Sequence, residues 1–292
     1  GKCMMDAGQG VPVGLRETTE SSLGESLRLI DTWHGRENGR LRYALAPRFV
    51  LSCTEKLLRQ VQALARERGV RIHTHASENP TECDVVRQKT GRDNGSYFNH
   101  LGLLGQHTTL AHCVWLTAEE QKLLRETRTH VAHCPSANFK LASGTAKVPE
   151  LLKQGINVGL GADGAPCNNN LDIFVELRLA ALIHLPRTGP TSLSAMQALE
   201  LATLNGAKAL GLEGEVGVLQ EGAKADVITV DLTQAHSTPA SDDPVSTLVY
   251  SAQGSDVRDV IVDGQVLMRE RQLLQVDERQ ILEAARQHSK RL

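Results

Sequence analysis

The chain has 292 residues, with 32 Lys or Arg against 34 Asp or Glu and a formal net charge of −2. Near-neutral charge and few aromatic residues (two Trp, three Tyr, four Phe) argue against a nucleic-acid surface, which needs a basic stripe and often stacking rings. No apolar run approaches the ~18 residues that span a bilayer and no signal peptide is legible, so the size suits one large α/β domain with a small appendage.

In chain order, residues 41–49 read as a strand. A helix follows over 55–69, with Leu57, Leu58, Val61, Leu64 and Ala65 on one face and Gly69 as its C-terminal cap. Residues 70–77 form the next strand. Asn79-Pro80 opens a helix that Gly91 closes. A third strand spans 108–112, and Thr117-Ala118-Glu119-Glu120 is a capping box. A fourth strand covers 129–134, a short helix 149–154, a fifth strand 156–160 and a strong helix 171–185. Strand-then-helix repetition predicts a parallel sheet with helical crossovers.

No Gly-x-Gly-x-x-Gly follows a strand, which weakens the doubly wound nucleotide-binding alternative. Polar residues instead recur at strand ends: Arg48, His75 with Glu78, His112, His133 and Asp163. Barrel enzymes carry their chemistry there. The expected fold is therefore a (β/α)8 TIM-type barrel over 1–211, then a small β appendage over 212–275. In the appendage, 217–222 and 225–230 are short strands, and an Asp263-Gly264 turn joins a hairpin over 257–268. A polar helix ends the chain over 276–292. Six scattered cysteines with no Cys-x-x-Cys pair suit reduced thiols in the cytoplasm.

His73 and His75 lie two apart on a strand and share one face. A neutral imidazole ligates Zn²⁺ or Fe²⁺, although the pair reads equally as hydrogen-bonded interior residues. Glu78, past the strand end, is placed to shuttle protons. Asp163 offers a carboxylate to a cation and its water, yet sits in a common turn composition. His112 is a candidate donor to the attacking water or the developing oxyanion. For His133, structural and functional readings stand level.

Taken jointly, these segments resemble the amidohydrolase superfamily, in the branch of methylthioadenosine/S-adenosylhomocysteine deaminases, guanine deaminases and triazine hydrolases. The resemblance rests on His73-Thr-His-Ala-Ser-Glu78, Ala111-His112-Cys113, His133-Cys-Pro-Ser-Ala-Asn138, Gly161-Ala-Asp-Gly-Ala165 with Asn168-Asn169-Asn170-Leu171-Asp172, and Gly222-Ala-Lys-Ala-Asp226. It implies His75 and Asp163 as metal ligands, with Glu78, His112 and Asp163 catalytic. Arg48, His133 and Asn138 would meet the substrate. The implied reaction removes an amino group from a purine-like or triazine-like ring as ammonia; loss of chloride is the alternative leaving step. A small heterocycle is the implied partner, with no nucleic acid or membrane, and a homo-oligomer is compatible.

The same resemblance places His73-x-His75 on the fifth barrel strand, because only about ninety residues separate it from Asp163 whereas seven further units need roughly 200. Residues 1–6 would then end the third strand. The first two strands, most of the third and part of the β appendage would be absent, and with them a His-x-His ligand pair. Zinc should be held weakly by His75 and Asp163 alone, since catalytic zinc takes three or four protein ligands. An inactive, truncated domain is the corresponding non-catalytic reading.

Overall fold

A computed structural model describes residues 1–8, 11–239 and 242–290. After β1 (Cys3–Met4), α1 (Thr19–Trp33) leads to β2 (Ala44–Pro47), α2 (Glu55–Arg68), β3 (Arg71–Ala76), α3 (Pro80–Thr90), α4 (Asn94–His100) and β4 (Thr108–His112). Then follow α5 (Ala118–Thr127), β5 (His130–His133), α6 (Pro135–Lys140), α7 (Val148–Lys153) and β6 (Val158–Leu160). Beyond the sheet come α8 (Ala165–Asn168), α9 (Ile173–Leu182), α10 (Leu185–Thr188), α11 (Ala195–Ala202) and α12 (Leu204–Leu210). The six strands form one sheet in the order β1-β2-β3-β4-β5-β6, parallel throughout. This sequential order has no switch point, unlike the doubly wound arrangement. No helix among the described residues is long and apolar enough to cross a membrane.

Side-chain alternation divides the sheet into two faces. Thr74, Leu110, Val131 and Val158 stand in register across β3 to β6. All four are buried, and the last three join the apolar core with Leu57, Leu58 and Val61 of α2. The opposite face carries His73 and His75. The row in register with His75 is Ala111, Ala132 and Gly159. These small side chains leave room beside the imidazole. α12 covers part of this face: a Cβ on Gly159 would stand 3.4 Å from the Gly206 Cα, and the Thr109 hydroxyl donates to the Ala209 carbonyl.

The helix ends follow the expected chemistry. Thr54 and Asn79 accept from backbone N–H groups three residues on, and Gly69 and Gly91 close their helices in the left-handed region at φ 62° and 70°. The Thr117–Glu120 box is reciprocal. Glu120, 1% exposed, also accepts from Gly95 N at 2.7 Å and Ser77 Oγ at 3.3 Å. It ties α5 to α4 and to the end of β3. Thr117→Ala is expected to cost about 1 kcal/mol, read as a lower urea midpoint with an unchanged m-value.

Three sequence expectations need correction. Residues 217–222 form turns, not a strand. At Gly217, φ is 82° and a Cβ would lie 2.8 Å from the Thr203 carbonyl oxygen, so the backbone bends tightly against α12. The strong helix begins at Ile173, because Asp172 caps it by accepting from Phe174 N at 2.9 Å; Pro186 then opens the separate α10. The terminal helix is α14 (Glu278–Ser289), and residues 291–292 lie outside the described residues. Before it come β7 (Val227–Val230), α13 (Pro244–Tyr250), β8 (Val257–Val262), β9 (Gln265–Arg269) and β10 (Gln272–Leu273). β7 to β10 form an antiparallel sheet in the order β10-β9-β8-β7. The β8–β9 turn has φ 51° at Asp263 and 77° at Gly264, the two positive values that a type I′ hairpin needs.

Candidate active site

The C-terminal ends of β3, β4 and β6 share a local feature: each is followed or ended by a non-glycine residue in the left-handed region. The values are φ 52° at Ser77, 71° at His112, 51° at Cys113 and 63° at Asp163. Such residues cost energy and persist only where surroundings fix them. Here they redirect side chains. Alternation puts His112 on the helix-facing side with Thr108 and Leu110. The left-handed turn reverses it, and its ring stacks on His75 with centroids 5.2 Å apart.

Glu78 reaches the same point from the loop after β3. Its Oε2 lies 3.8 Å from His112 Nε2, within ion-pair reach but too long for a hydrogen bond. Its Oε1 accepts from Ser143 Oγ at 3.2 Å. His112 Nδ1 contacts Asn138 Oδ1 at 2.8 Å. His112 and Asn138 are buried, with exposures of 1% and 0%.

His75 is fixed by the residue that directly follows β2. The Arg48 carbonyl accepts from His75 N at 2.9 Å, from Thr74 Oγ1 at 3.1 Å and from His75 Nδ1 at 2.7 Å. A carbonyl only accepts, so Nδ1 carries the proton and Nε2 keeps its lone pair, the form in which imidazole ligates a cation. Burial lowers the His75 pKa, His112 lowers it further, and the Arg48 carbonyl, Asp163 and Glu78 oppose them. Burial also raises the Cys134 and Cys167 thiols, and the charges of Asp163 and Glu78 add to both shifts. Both carboxylates thus act on the same neighbourhood. Asp163 Oδ1 accepts from Gly164 N at 2.6 Å.

The structure brings His75, Glu78, His112 and Asn138 together, with Asp163 in electrostatic reach. Asn138 stands behind His112, not in front of it. Arg48 acts on His75 through its backbone, and its side chain is exposed. His133 is not part of this cluster. In register with Leu160 and on the helix-facing row with Val131, it is fully buried, its ring 5.8 Å from that of His184. Alternation decides this, since His133, unlike His112, is not itself in the left-handed region. Ser143 and Trp115 had no sequence signal of their own: they follow the His112-Cys113 and His133–Asn138 motifs by a few residues, and Trp115 Nε1 donates to the Ser143 carbonyl at 2.7 Å.

His75 and Asp163 suit a divalent cation by donor chemistry. Among the described residues no group of three or more His, Cys, Asp or Glu is arranged to hold one. His75 and Asp163 are at most two of the three or four donors that a catalytic zinc takes.

Comparison with known proteins gives four findings. The amidohydrolase family model matches residues 1–267. The 5'-deoxyadenosine deaminase of Methanosarcina mazei is 42% identical over 277 residues, covering 94% of this chain and 63% of that protein. The 5-methylthioadenosine/S-adenosylhomocysteine deaminase of Moorella thermoacetica is 44% identical over 270 residues, covering 92% and 63%. Among solved structures, a zinc-bound adenosine deaminase from Xanthomonas campestris superposes with a TM-score of 0.92 at 29% identity, over 99% of this chain and 64% of that one. The chain thus spans a little under two thirds of the relatives it matches.

Proposed function

The chain belongs to the amidohydrolase family, and from that premise we propose that it is a metal-dependent aminohydrolase acting on an adenosine-type nucleoside. Water adds to the ring carbon that bears the exocyclic amine, the C–N bond breaks, and ammonia leaves with the proton that water gave up. The parallel sheet is read as an arc of a TIM-type barrel over 1–211, with the β appendage over 212–275 and the terminal helix over 276–292. Free thiols suit a reducing, cytoplasmic setting.

His75 and Asp163 would hold the cation, with zinc favoured by the zinc-bound relative. A bound zinc lowers the pKa of water to about 7. Glu78 takes the water proton and returns it to the leaving nitrogen. His112, stacked on His75 and facing Glu78, meets the same water and the oxygen as it becomes negative. The Arg48 side chain, exposed at the rim, is available to the polar part of the nucleoside. The observation that carries this reading is the convergence of His75, His112 and Glu78 from two strand ends.

The test is ammonia release from 5'-deoxyadenosine by the purified chain, with zinc added and with zinc chelated. The expected result is release only with zinc, accompanied by conversion of the adenine ring to hypoxanthine. No release at any zinc concentration overturns the catalytic reading. A two-donor site favours a second reading in that event: a domain that folds without turning substrate over.

A further inference from the structure

Two polar residues behind the cluster come from one short segment. Asn138 lies within α6 and Ser143 follows five residues later, just past the helix end. The Asn138 carbonyl accepts from Ser143 N at 2.8 Å, so the two move as a unit. Trp115 Nε1 anchors the Ser143 carbonyl at 2.7 Å. Both residues are nearly inaccessible, with exposures of 0% and 3%. From this unit, one side chain reaches His112 and the other reaches Glu78.

We infer that Asn138 and Ser143 are positioning residues: together they set the distance between Glu78 and His112, and Asn138 dictates which nitrogen of His112 carries the proton. Asn138 Oδ1 is an acceptor only, so Nδ1 of His112 must donate to it. The neutral ring then presents a lone pair, not an N–H, at Nε2 on the Glu78 side. His112 enters as an acceptor of the water's hydrogen and becomes a donor only after protonation. This reverses the donor role expected from sequence. A carbonyl acceptor at Nδ1 also suits the imidazolium, whose two nitrogens both donate.

The inference rests on the aminohydrolase reading for its consequence, yet its test does not. Histidine labelled with ¹⁵N reports ring tautomers in the free chain at neutral pH, without metal or substrate, with the His112 signals identified by their loss in His112→Gln. The expected spectrum has His112 protonated at Nδ1. Asn138→Ala should move the population toward the Nε2–H form, and Asn138→Asp, which still accepts, should retain Nδ1–H. A wild-type ring protonated at Nε2, or one indifferent to Asn138→Ala, overturns the inference. If Asn138→Ala does not fold, the wild-type tautomer decides alone. In the zinc assay, Ser143→Ala and Asn138→Ala should each lower kcat by about 10–100-fold with little change in KM, as loss of an outer-layer partner does. The expected tautomer without ammonia release sustains the positioning and removes the aminohydrolase reading instead.

Discussion

Glu78→Gln is expected to lower ammonia release by about 10²–10⁴-fold, the usual worth of a positioned proton carrier. The substitution is nearly isosteric, and a glutamine carbonyl still accepts from Ser143 Oγ, which donates to Glu78 Oε1 at 3.2 Å. What is lost is the group that takes up and returns a proton beside His112, 3.8 Å away. kcat should fall while KM changes little, because the carboxylate acts after the nucleoside is bound. The thermal midpoint should stay close to that of the unaltered chain. Activity within threefold of the parent would remove Glu78 from the reaction and leave His112 as the proton carrier.

Strands β2 to β6 were legible because each is a short apolar run, and α2, α3 and α5 because each carries a cap signal. Asn79-Pro80, Thr117–Glu120 and the Asp263-Gly264 turn are local signals, and local signals survive folding. α1 was not legible. Its buried face is Thr19, Ser22, Ser26 and Ile30, spaced as a helix but mostly small and polar, so hydrophobic periodicity had nothing to register.

The same contrast runs through the site. His75 and Glu78 follow from strand alternation and a short overhang. His112 does not: a regular strand would send it to the helix layer, and only the left-handed backbone at φ 71° brings it to His75. His133 looks equivalent in sequence, at the end of a strand and before a cysteine. It keeps the regular conformation and stays in the helix layer. Which of two such histidines turns inward depends on backbone strain that the surroundings enforce, and residue type alone does not encode it.

That second histidine has its own consequence. His133 and His184 are both fully buried, and none of their ring nitrogens has a hydrogen-bond partner among the described residues. Burial lowers His133 to about 3, with the neighbouring His184 and then His112 adding to the effect. Burial likewise lowers His184 to about 4, helped by Arg187 and opposed by Glu150. Both rings are neutral in the folded chain at pH 5, whereas in the unfolded chain they titrate near 6.5. Between those limits the unfolded state binds more protons, so stability must rise with pH. Above about pH 6.5 neither ring contributes a slope; as pH falls from 6.5 toward 4, stability is lost. By pH 5 the loss is about 2 kcal/mol for each imidazole by linkage. Urea unfolding at pH 7.5 and pH 5 should therefore give well-separated stabilities. The double substitution His133→Leu with His184→Leu should narrow that gap markedly. It should leave neutral-pH stability equal or higher, because apolar groups of similar size replace buried polar atoms without partners. His75, which burial also lowers, keeps part of the acid slope in that variant. A gap as wide in the double variant as in the parent would assign acid sensitivity to the strand-end cluster and not to the helix-layer pair.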